Sequence, residues 1–124
     1  MTEASSLTLD RYLAATDRAV ADKAALDDLL DLFDPDAMVQ IDDALIQAAA
    51  GIREFCQGFI AFHTETKHYW NTTVLPDGRQ RVEWVCAART IDGAVITVAG
   101  IEHAIIGPDG RIVELRNTFT RRPD

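Results

Sequence analysis

The sequence predicts an α+β fold, in which helices cover one face of a curved, mainly antiparallel sheet. Residues 8–33 repeat apolar side chains at the three- and four-residue spacing of an amphipathic helix, and residues 51–66 do so again. After residue 67 the apolar side chains alternate with polar ones, which is the period of a β-strand. Three turn sequences then divide the remaining chain into four strands, the pattern of an antiparallel meander.

The N-terminal third is predicted to form two consecutive helices with one shared apolar stripe. Thr8 is the predicted N-cap of the first helix and Asp22 that of the second, because both side chains can accept a hydrogen bond from a free backbone N–H. The second helix is expected to end before Pro35. The stripe consists of Leu9, Tyr12, Leu13, Thr16, Val20, Leu26, Leu29, Leu30 and Phe33. Five aspartates off the stripe are expected on a solvated face: Asp10, Asp17, Asp27, Asp28 and Asp31.

A short strand and a third helix precede the meander. The strand is predicted over Met38–Ile41, and the helix from Gly51 to about Thr66. The turns of the meander are Pro76-Asp77-Gly78, Asp92-Gly93 and Gly107–Gly110. The four strands are expected at His68–Leu75, Arg79–Arg89, Ala94–Ile106 and Arg111–Thr120.

The strand Ala94–Ile106 carries apolar side chains in both of its alternating sets. A strand with one wet face would alternate apolar with polar residues, so both faces of this strand are expected to be covered. The helices can cover only one face. We therefore expect a homodimer that pairs through the opposite sheet face, which carries His103 and Ile105.

Composition excludes several classes of function. The 124 residues fit one domain, expected over 1–124, and their formal charge of −8 argues against a nucleic-acid-binding surface. The longest apolar run has eight residues, too few to span a membrane.

The cysteines and histidines indicate neither disulfides nor a metal site. Cys56 and Cys86 form no CxxC pair, which favours two buried thiols and a cytoplasmic protein. The three histidines have no metal-ligand spacing and no nucleotide-binding loop is present, so neither a metal nor another cofactor is expected.

Four motifs in order carry a resemblance to a known family. They lie at Asp10–Ala15, Leu30–Val39, Gly51–Phe55 and Gly110–Arg116. Together they make the chain similar to the nuclear transport factor 2-like superfamily, particularly its SnoaL-like and ketosteroid-isomerase-like members. The resemblance implies a cone of three helices on a strongly curved sheet that encloses a deep apolar pocket, often in a homodimer. It does not imply one activity, because the fold hosts isomerases, cyclases, dehydratases, epoxide hydrolases and binding subunits.

Glu102 and Tyr12 are the first catalytic candidates that the resemblance implies. Glu102 stands eight residues before Gly110, where relatives tend to carry an essential Asp, and it interrupts an apolar strand face. The alternative is a structural ion pair with Arg89 or Arg116. Tyr12 matches the stretch that carries the oxyanion tyrosine of the isomerases; the alternative is a core tyrosine bonded to a backbone carbonyl.

Asp42 is the third catalytic candidate. It lies near the position of the isomerases' base but one residue beyond the matching Ile41, and one residue on a regular strand reverses the face. Only a bulge or an early strand end would turn Asp42 inward. The alternative is a solvated pair with Asp43.

The expected wall of the pocket combines aromatic and polar side chains. His63 is predicted at the centre of the third helix's apolar stripe, either as a proton shuttle or as a satisfied core histidine. His68 and Trp70 share one face of the next strand, and Gly100 is expected to leave room beside Glu102. The remaining candidates for substrate contact are Phe59, Trp84, Arg89 and Phe119.

These residues favour a cofactor-free protein that binds a small, largely apolar molecule with a carbonyl or epoxide-like centre. The first hypothesis is proton transfer by an isomerase or cyclase, with Glu102 as acid or base and Tyr12 as hydroxyl donor. The alternative is a non-catalytic ligand-binding or assembly module of the same fold.

Overall fold

The computed structural model describes residues 7–123; residues 1–6 and residue 124 of the predicted domain lie outside the described part. Within residues 7–123, three helices pack on a mixed sheet of six strands. The elements are α1 Thr8–Ala21, α2 Leu26–Leu30, β1 Phe33–Ile41, β2 Ala44–Gln47, α3 Ala48–Phe62, β3 His63–Val74, β4 Gln80–Thr90, β5 Val95–Ile106 and β6 Ile112–Arg121. The predicted α+β class is confirmed.

The sheet has the strand order β2-β1-β6-β5-β4-β3. The meander from β3 to β6 is antiparallel throughout, as predicted, whereas β1 pairs with β6 in parallel. Register shifts interrupt three of the pairings, between β1 and β6, β3 and β4, and β5 and β6. Such irregularities bend and twist strands, which gives the sheet the concave face on which the helices lie.

The start of α1 differs from the sequence prediction. Leu7, not Thr8, occupies the N-cap position, and no side chain caps the helix. Thr8 is the first helical residue, and its hydroxyl donates instead to the carbonyl of Gly110 at 2.7 Å. Asp22 does act as a cap, because its carboxylate accepts from the N–H of Ala24 at 3.0 Å at the 3-10 turn before α2.

Two of the five aspartates assigned to a solvated face are half-buried and bond to the sheet instead. Asp10 accepts hydrogen bonds from the indole N–H of Trp70 at 2.9 Å and from the hydroxyl of Thr72. Asp17 bonds to Thr66 and His68, which lie on β3 as Trp70 and Thr72 do. The prediction was wrong for these two because α1 crosses β3, so carboxylates flanking its apolar stripe meet polar groups of the strand.

The third helix ends earlier than predicted. It stops at Phe62 rather than near Thr66, so His63 is the first residue of β3 and not the centre of a helix face. Alternating Thr64 and Thr66 fit the strand because β-branched side chains favour extended backbone. The short strand β2, which lies between β1 and α3, has no counterpart in the sequence prediction.

The strand β5 is apolar on both faces, but only its inner face is covered within one chain. Gly100, Glu102 and Ala104 are buried on the inner face. On the outer face, 66% of Val95 and 41% of Ile105 are exposed. The described residues therefore leave an apolar outer surface on the sheet, and the predicted homodimer remains a proposal.

None of the helices in the described part of the chain combines the length and the apolar content that a membrane crossing requires.

A pair of glycine substitutions tests the packing of the sheet. A Cβ at Gly100 would lie 2.7 Å from the Trp84 ring and 2.8 Å from the backbone oxygen of Thr118, so Gly100→Ala should lower the free energy of unfolding by about 1–3 kcal/mol. Gly58 in α3 has open space around it, so Gly58→Ala should raise that free energy by roughly 0.5–1 kcal/mol. Urea unfolding measures both. If Gly100→Ala had the same free energy of unfolding as wild type, this would contradict the close contact between Gly100 of β5 and the Trp84 ring.

Candidate active site

A cavity of about 390 Å³ lies between α1, α3 and the inner face of the sheet. Its walls are largely apolar and aromatic. Seven of the sequence-predicted site residues line it: Tyr12, Phe59, His63, His68, Trp84, Glu102 and Phe119. The remaining lining includes Leu13, Thr16, Leu29, Ile41, Phe55, Cys56, Phe62, Cys86, Ile96, Val98, Asn117, Arg122 and Pro123.

Glu102 is the buried carboxyl of this cavity. It lies on β5 between Val82 of β4 and Asn117 of β6, and only 5% of it is exposed. Its Oε2 atom has no hydrogen-bond partner among the described residues. Burial disfavours the charged form and raises the pKa of Glu102 from 4.5 to about 8, with His68 acting weakly in the opposite direction. Glu102 is therefore mainly protonated at neutral pH.

The structural alternative for Glu102, an ion pair with Arg89 or Arg116, is wrong. Arg89 pairs with Glu65 at 3.4 Å, and Arg116 pairs with Glu114 at 3.4 Å. Both arginines are exposed, because they occupy the alternate positions of β4 and β6 that face away from the cavity. Glu102 consequently keeps its raised pKa rather than a depressed one.

Tyr12 projects from α1 into the same cavity. Its ring meets the ring of Phe33 edge to face, with centroids 5.6 Å apart. Burial, and secondarily the carboxyl of Glu102, raises the pKa of Tyr12 well above its usual value of 10.0. The raised pKa means that this hydroxyl keeps its proton at neutral pH and can act as a hydrogen-bond donor.

His68 on β3 is fixed by Asp17 on α1. The Asp17 Oδ1 atom lies 2.6 Å from His68 Nδ1, and Oδ2 accepts from the His68 backbone N–H at 2.8 Å. The hydroxyl of Thr66 also donates to Asp17. Burial lowers the pKa of His68, but hydrogen bonds with Asp17 and Cys86 outweigh it and raise that pKa to about 9. The pKa of Asp17 is correspondingly lowered, because the bonds from His68 outweigh burial.

Asn117 is held in one orientation by Trp84. The indole N–H of Trp84 donates to Asn117 Oδ1 at 3.0 Å, and both side chains are buried. Because Oδ1 is the acceptor, the Nδ2 group of Asn117 is the part of the amide left for the cavity. The Trp84 ring also contacts Phe119, with centroids 5.8 Å apart, and covers Gly100.

Asp42 lies beside the cavity rather than in its lining. β1 ends at Ile41, and Asp42 has a positive φ of 50°, so the early strand end considered for this residue occurs. Its Oδ1 accepts from the backbone N–H of Phe119 at 3.2 Å, and its Oδ2 pairs with the guanidinium of Arg122. Asp42 thus joins the ends of β1 and β6.

Three further predicted contact residues lie outside the cavity lining. Trp70 faces Asp10, to which its indole N–H is bonded. Arg89 is exposed, and its guanidinium contacts Glu65 and the carbonyl of Gly93. Gly100 lies beneath Trp84, so the space that it leaves beside Glu102 is filled by the indole.

His63 lines the cavity from a different element than expected. It follows α3 directly, and its Nδ1 lies 2.8 Å from the carbonyl oxygen of Phe59. Its ring packs between Phe59 and Phe62, with centroids 4.4 and 4.9 Å away. This satisfied nitrogen agrees with the alternative of a structural histidine, although the ring still borders the cavity.

Sequence reasoning missed Asp17, Asn117 and Cys86 as site residues. For Asn117 a signal was present, because it alternates with Leu115 and Phe119 on the buried face of β6. For Asp17 the signal was its place seven residues after Asp10, which puts both carboxylates on one side of α1. Which strand they would meet depends on the helix crossing, which the sequence does not encode locally.

The polar groups of the cavity suit proton exchange and hydrogen bonding. In the stretch from residue 7 to 123, no group of three or more His, Cys, Asp and Glu side chains is arranged to hold a metal ion. Glu102, Tyr12 and His68 each present a group that can carry a proton, and Asn117 adds an amide donor.

Comparison with solved structures identifies the fold. An NTF2-like protein of unknown function from Exiguobacterium sp. 255-15 is similar over 93% of this chain and 99% of its own, with 26% identity and a TM-score of 0.84. The epoxide hydrolase/cyclase-like enzyme SalBIII, of pyran ring formation in the polyether salinomycin, gives 16% identity, 87% coverage of each chain and a TM-score of 0.73. A candidate isomerase from Rhodopseudomonas palustris gives 18% identity, coverage of 97% and 92%, and a TM-score of 0.75.

The predicted resemblance to the nuclear transport factor 2-like superfamily is confirmed by the similarity to the NTF2-like protein. No protein-family model and no curated protein sequence matches the chain. The two enzyme structures share less than a fifth of their residues with this chain, so they support the fold and leave the reaction to the site itself.

The raised pKa of Glu102 makes stability depend on pH. Between about pH 4.5 and pH 8 the unfolded chain loses a proton that the folded chain keeps, so the free energy of unfolding should fall as the pH rises through this range. The glutamine in Glu102→Gln does not titrate, so this variant should lack the decrease in the free energy of unfolding that Glu102 causes. Urea unfolding from pH 4 to pH 9 should therefore show the variant gaining roughly 2–5 kcal/mol relative to wild type. A constant difference across the range would mean that Glu102 is ionised in the folded protein.

Proposed function

We propose that this protein binds a small, largely apolar carbonyl compound in the cavity and catalyses proton transfer on it without a cofactor. The observation that carries the proposal is a carboxyl group, Glu102, that is buried in an apolar cavity with no partner for Oε2. A folded protein leaves such a group unpaired at a cost, and unpaired buried groups concentrate at functional sites.

The proposed reaction is an isomerisation or cyclisation that proceeds through an enol or enolate. Efficient acid-base groups have a pKa near the working pH, and the pKa of about 8 gives Glu102 both protonation states there. Ionised Glu102 removes a proton from the carbon next to the carbonyl and returns it at a second position. The hydroxyl of Tyr12 and the Nδ2 group of Asn117 donate hydrogen bonds to the oxygen that gains charge.

The apolar wall supports this chemistry in two ways. It excludes water from a reactive enolate, and it strengthens the hydrogen bonds that stabilise the enolate. Aromatic rings of Phe59, Trp84 and Phe119 offer contact surface to a flat or cyclic ligand. The cyclase-like and isomerase assignments of two structural neighbours are consistent with a reaction of this class.

A non-catalytic binding module is the second candidate function. The observation that favours it is the state of Asp42, since the carboxylate nearest the isomerases' base position is held by Phe119 and Arg122 and does not line the cavity. In that case the cavity would bind a ligand, and the protonation of Glu102 would serve to avoid a buried charge. The two candidates differ only in turnover, which can be measured without the natural substrate.

The test of proton transfer uses 2-tetralone, a two-ring ketone with exchangeable protons beside its carbonyl. In deuterium oxide the wild type should accelerate incorporation of deuterium at the carbons next to the carbonyl, as followed by NMR. Glu102→Gln keeps the shape of the side chain but cannot exchange the proton, so the rate should fall by roughly 10²–10⁴-fold. Tyr12→Phe should lower it less, because Asn117 still donates to the oxygen.

Ligand binding provides the control for this experiment. Trp84 lines the cavity and Trp70 does not, so bound ketone should quench the tryptophan emission of wild type and of Glu102→Gln alike. Quenching in both proteins with no exchange in either would support the binding module and contradict the proposed reaction. Absence of quenching in both would contradict the cavity as the ligand site.

We also propose that the chain forms a homodimer through the outer face of the sheet. Tyr69, Val85 and Ala99 form one row across β3, β4 and β5, and Tyr69 and Val85 are more than half exposed. Val95 and Ile105 extend this apolar surface along β5. A second copy related by a twofold axis would bring the same surface to cover it, which removes apolar area from water in both chains.

The substitution Ile105→Lys tests this dimer. A lysine on the outer face should yield monomers in light scattering at micromolar concentrations, because its charge would have to be buried between the two sheets. Ile91→Lys is the matched control: Ile91 is equally apolar and exposed but lies in the β4–β5 turn, so this variant should remain dimeric. A monomeric wild type would contradict the proposal.

A further inference from the structure

We infer that the ligand of this cavity is a two-ring ketone with a hydroxyl group at the end opposite its carbonyl, and that His68 binds this hydroxyl. The inference rests on the proposed function, because it takes the carbonyl to lie at Glu102. It adds a second point of recognition, and it narrows the class of substrate from an apolar ketone to a hydroxylated one.

The polar groups of the cavity form two poles on the inner face of the sheet. The first pole is Glu102 on β5 with Asn117, its direct partner on β6. The second pole is His68 on β3, whose direct partner on β4 is Cys86. Val82, the β4 partner of Glu102, lies four residues before Cys86, which is about 13 Å along a strand. This separation is on the scale of a two-ring molecule rather than a single ring.

An aromatic surface lies between the two poles. Trp84 and Phe119 belong to the row of residues between them, because Trp84 pairs with Gly100 and Gly100 pairs with Phe119. The Trp84 ring contacts both poles: its N–H donates to Asn117 Oδ1 at 3.0 Å, and its centroid lies 5.6 Å from that of the His68 ring. A flat apolar body that packs on Trp84 therefore brings its two ends to the two poles.

Asp17 determines which nitrogen of His68 a ligand can reach. Its Oδ1 lies 2.6 Å from Nδ1, and its Oδ2 accepts from the His68 backbone N–H at 2.8 Å. Because Nδ1 is held by α1, Nε2 is the nitrogen left for a ligand in the cavity that His68 lines. Nε2 donates a hydrogen bond when the ring is charged and accepts one when the ring is neutral. A hydroxyl can do either, whereas a carbonyl or an ether oxygen can only accept.

Other polar side chains of the lining already have partners within the described chain. The Thr16 hydroxyl donates to a carbonyl of its own helix at 2.9 Å, and the Cys86 thiol donates to the next carbonyl along β4 at 3.6 Å. The second histidine of the lining, His63, has its Nδ1 2.8 Å from the carbonyl oxygen of Phe59. The geometry thus leaves His68 as the partner for a ligand hydroxyl at the end of the cavity away from Glu102.

The experiment compares two ligands that differ in one group, 6-hydroxy-2-tetralone and 6-methyl-2-tetralone. Hydroxyl and methyl groups have similar sizes, so an entirely apolar cavity would bind the methyl compound more tightly. The wild type should instead bind the hydroxyl compound about tenfold more tightly or better, because a buried imidazole is its hydrogen-bond partner. Isothermal titration calorimetry measures both dissociation constants.

Two substitutions assign this preference to one histidine. His68→Asn keeps a nitrogen near the position of Nδ1 that can donate to Asp17, but it removes Nε2, so the preference for the hydroxyl compound should disappear or reverse. His63→Phe is the matched control, because it removes the other histidine of the cavity lining. The ratio of the two dissociation constants should stay at its wild-type value in this variant.

A crystal structure of wild type with 6-hydroxy-2-tetralone decides the matter if His68→Asn does not fold. The ligand hydroxyl should lie within hydrogen-bond distance of Nε2, with the carbonyl oxygen at the Glu102 end. A hydroxyl bound elsewhere would overturn the inference. Equal or weaker binding of the hydroxyl compound by wild type, or an undiminished preference in folded His68→Asn, would overturn it as well.

The proposed function is tested separately with 2-tetralone, which lacks the hydroxyl. If 2-tetralone binds and exchanges its protons but the hydroxyl brings no gain in affinity, this inference alone fails. If none of the three ketones binds, the cavity as the ligand site is contradicted, and the inference fails with it.

Discussion

Burial of the Glu102 carboxyl without a charged partner is the constraint on which the site depends. An ionised carboxylate at this position would need an arginine or several N–H donors, and the arginines of β4 and β6 face outward instead. The side chain therefore keeps its proton at neutral pH, in a cavity whose walls are largely apolar. This burial connects the fold to the proposed chemistry, because a carboxyl whose pKa lies near the working pH can act on a bound ligand as an acid or as a base.

The helix α1, which forms one wall of the cavity, is joined to the sheet by specific hydrogen bonds as well as by apolar packing. Asp10 and Asp17 bond along β3, through Trp70, Thr72, Thr66 and His68, and so fix the distance and rotation of the helix. This contact turns Tyr12 toward Glu102 and leaves His68 charged beside Cys86.

The sequence predicted the parts of the structure that local pattern determines. The four-strand meander follows from turn residues and alternation, and Glu102 was identified because a carboxylate in an apolar strand face is conspicuous. The roles of Asp10 and Asp17 could not be predicted, because their partners are more than 45 residues distant and depend on how α1 crosses β3. Gly100 was expected to open space, whereas the long-range contact with Trp84 fills it. Such errors arise wherever tertiary packing, rather than period or turn chemistry, decides where a side chain lies.

The most direct test of this account is the titration of the Glu102 carboxyl carbon by NMR, in protein labelled with ¹³C at glutamate side chains. Glu102→Gln assigns the signal by its disappearance. The Glu102 carboxyl should keep its proton at pH 7 and titrate near pH 8, because it is buried without a charged partner. A signal that titrates at or below the ordinary value of 4.5 would show a charged carboxylate and contradict the account.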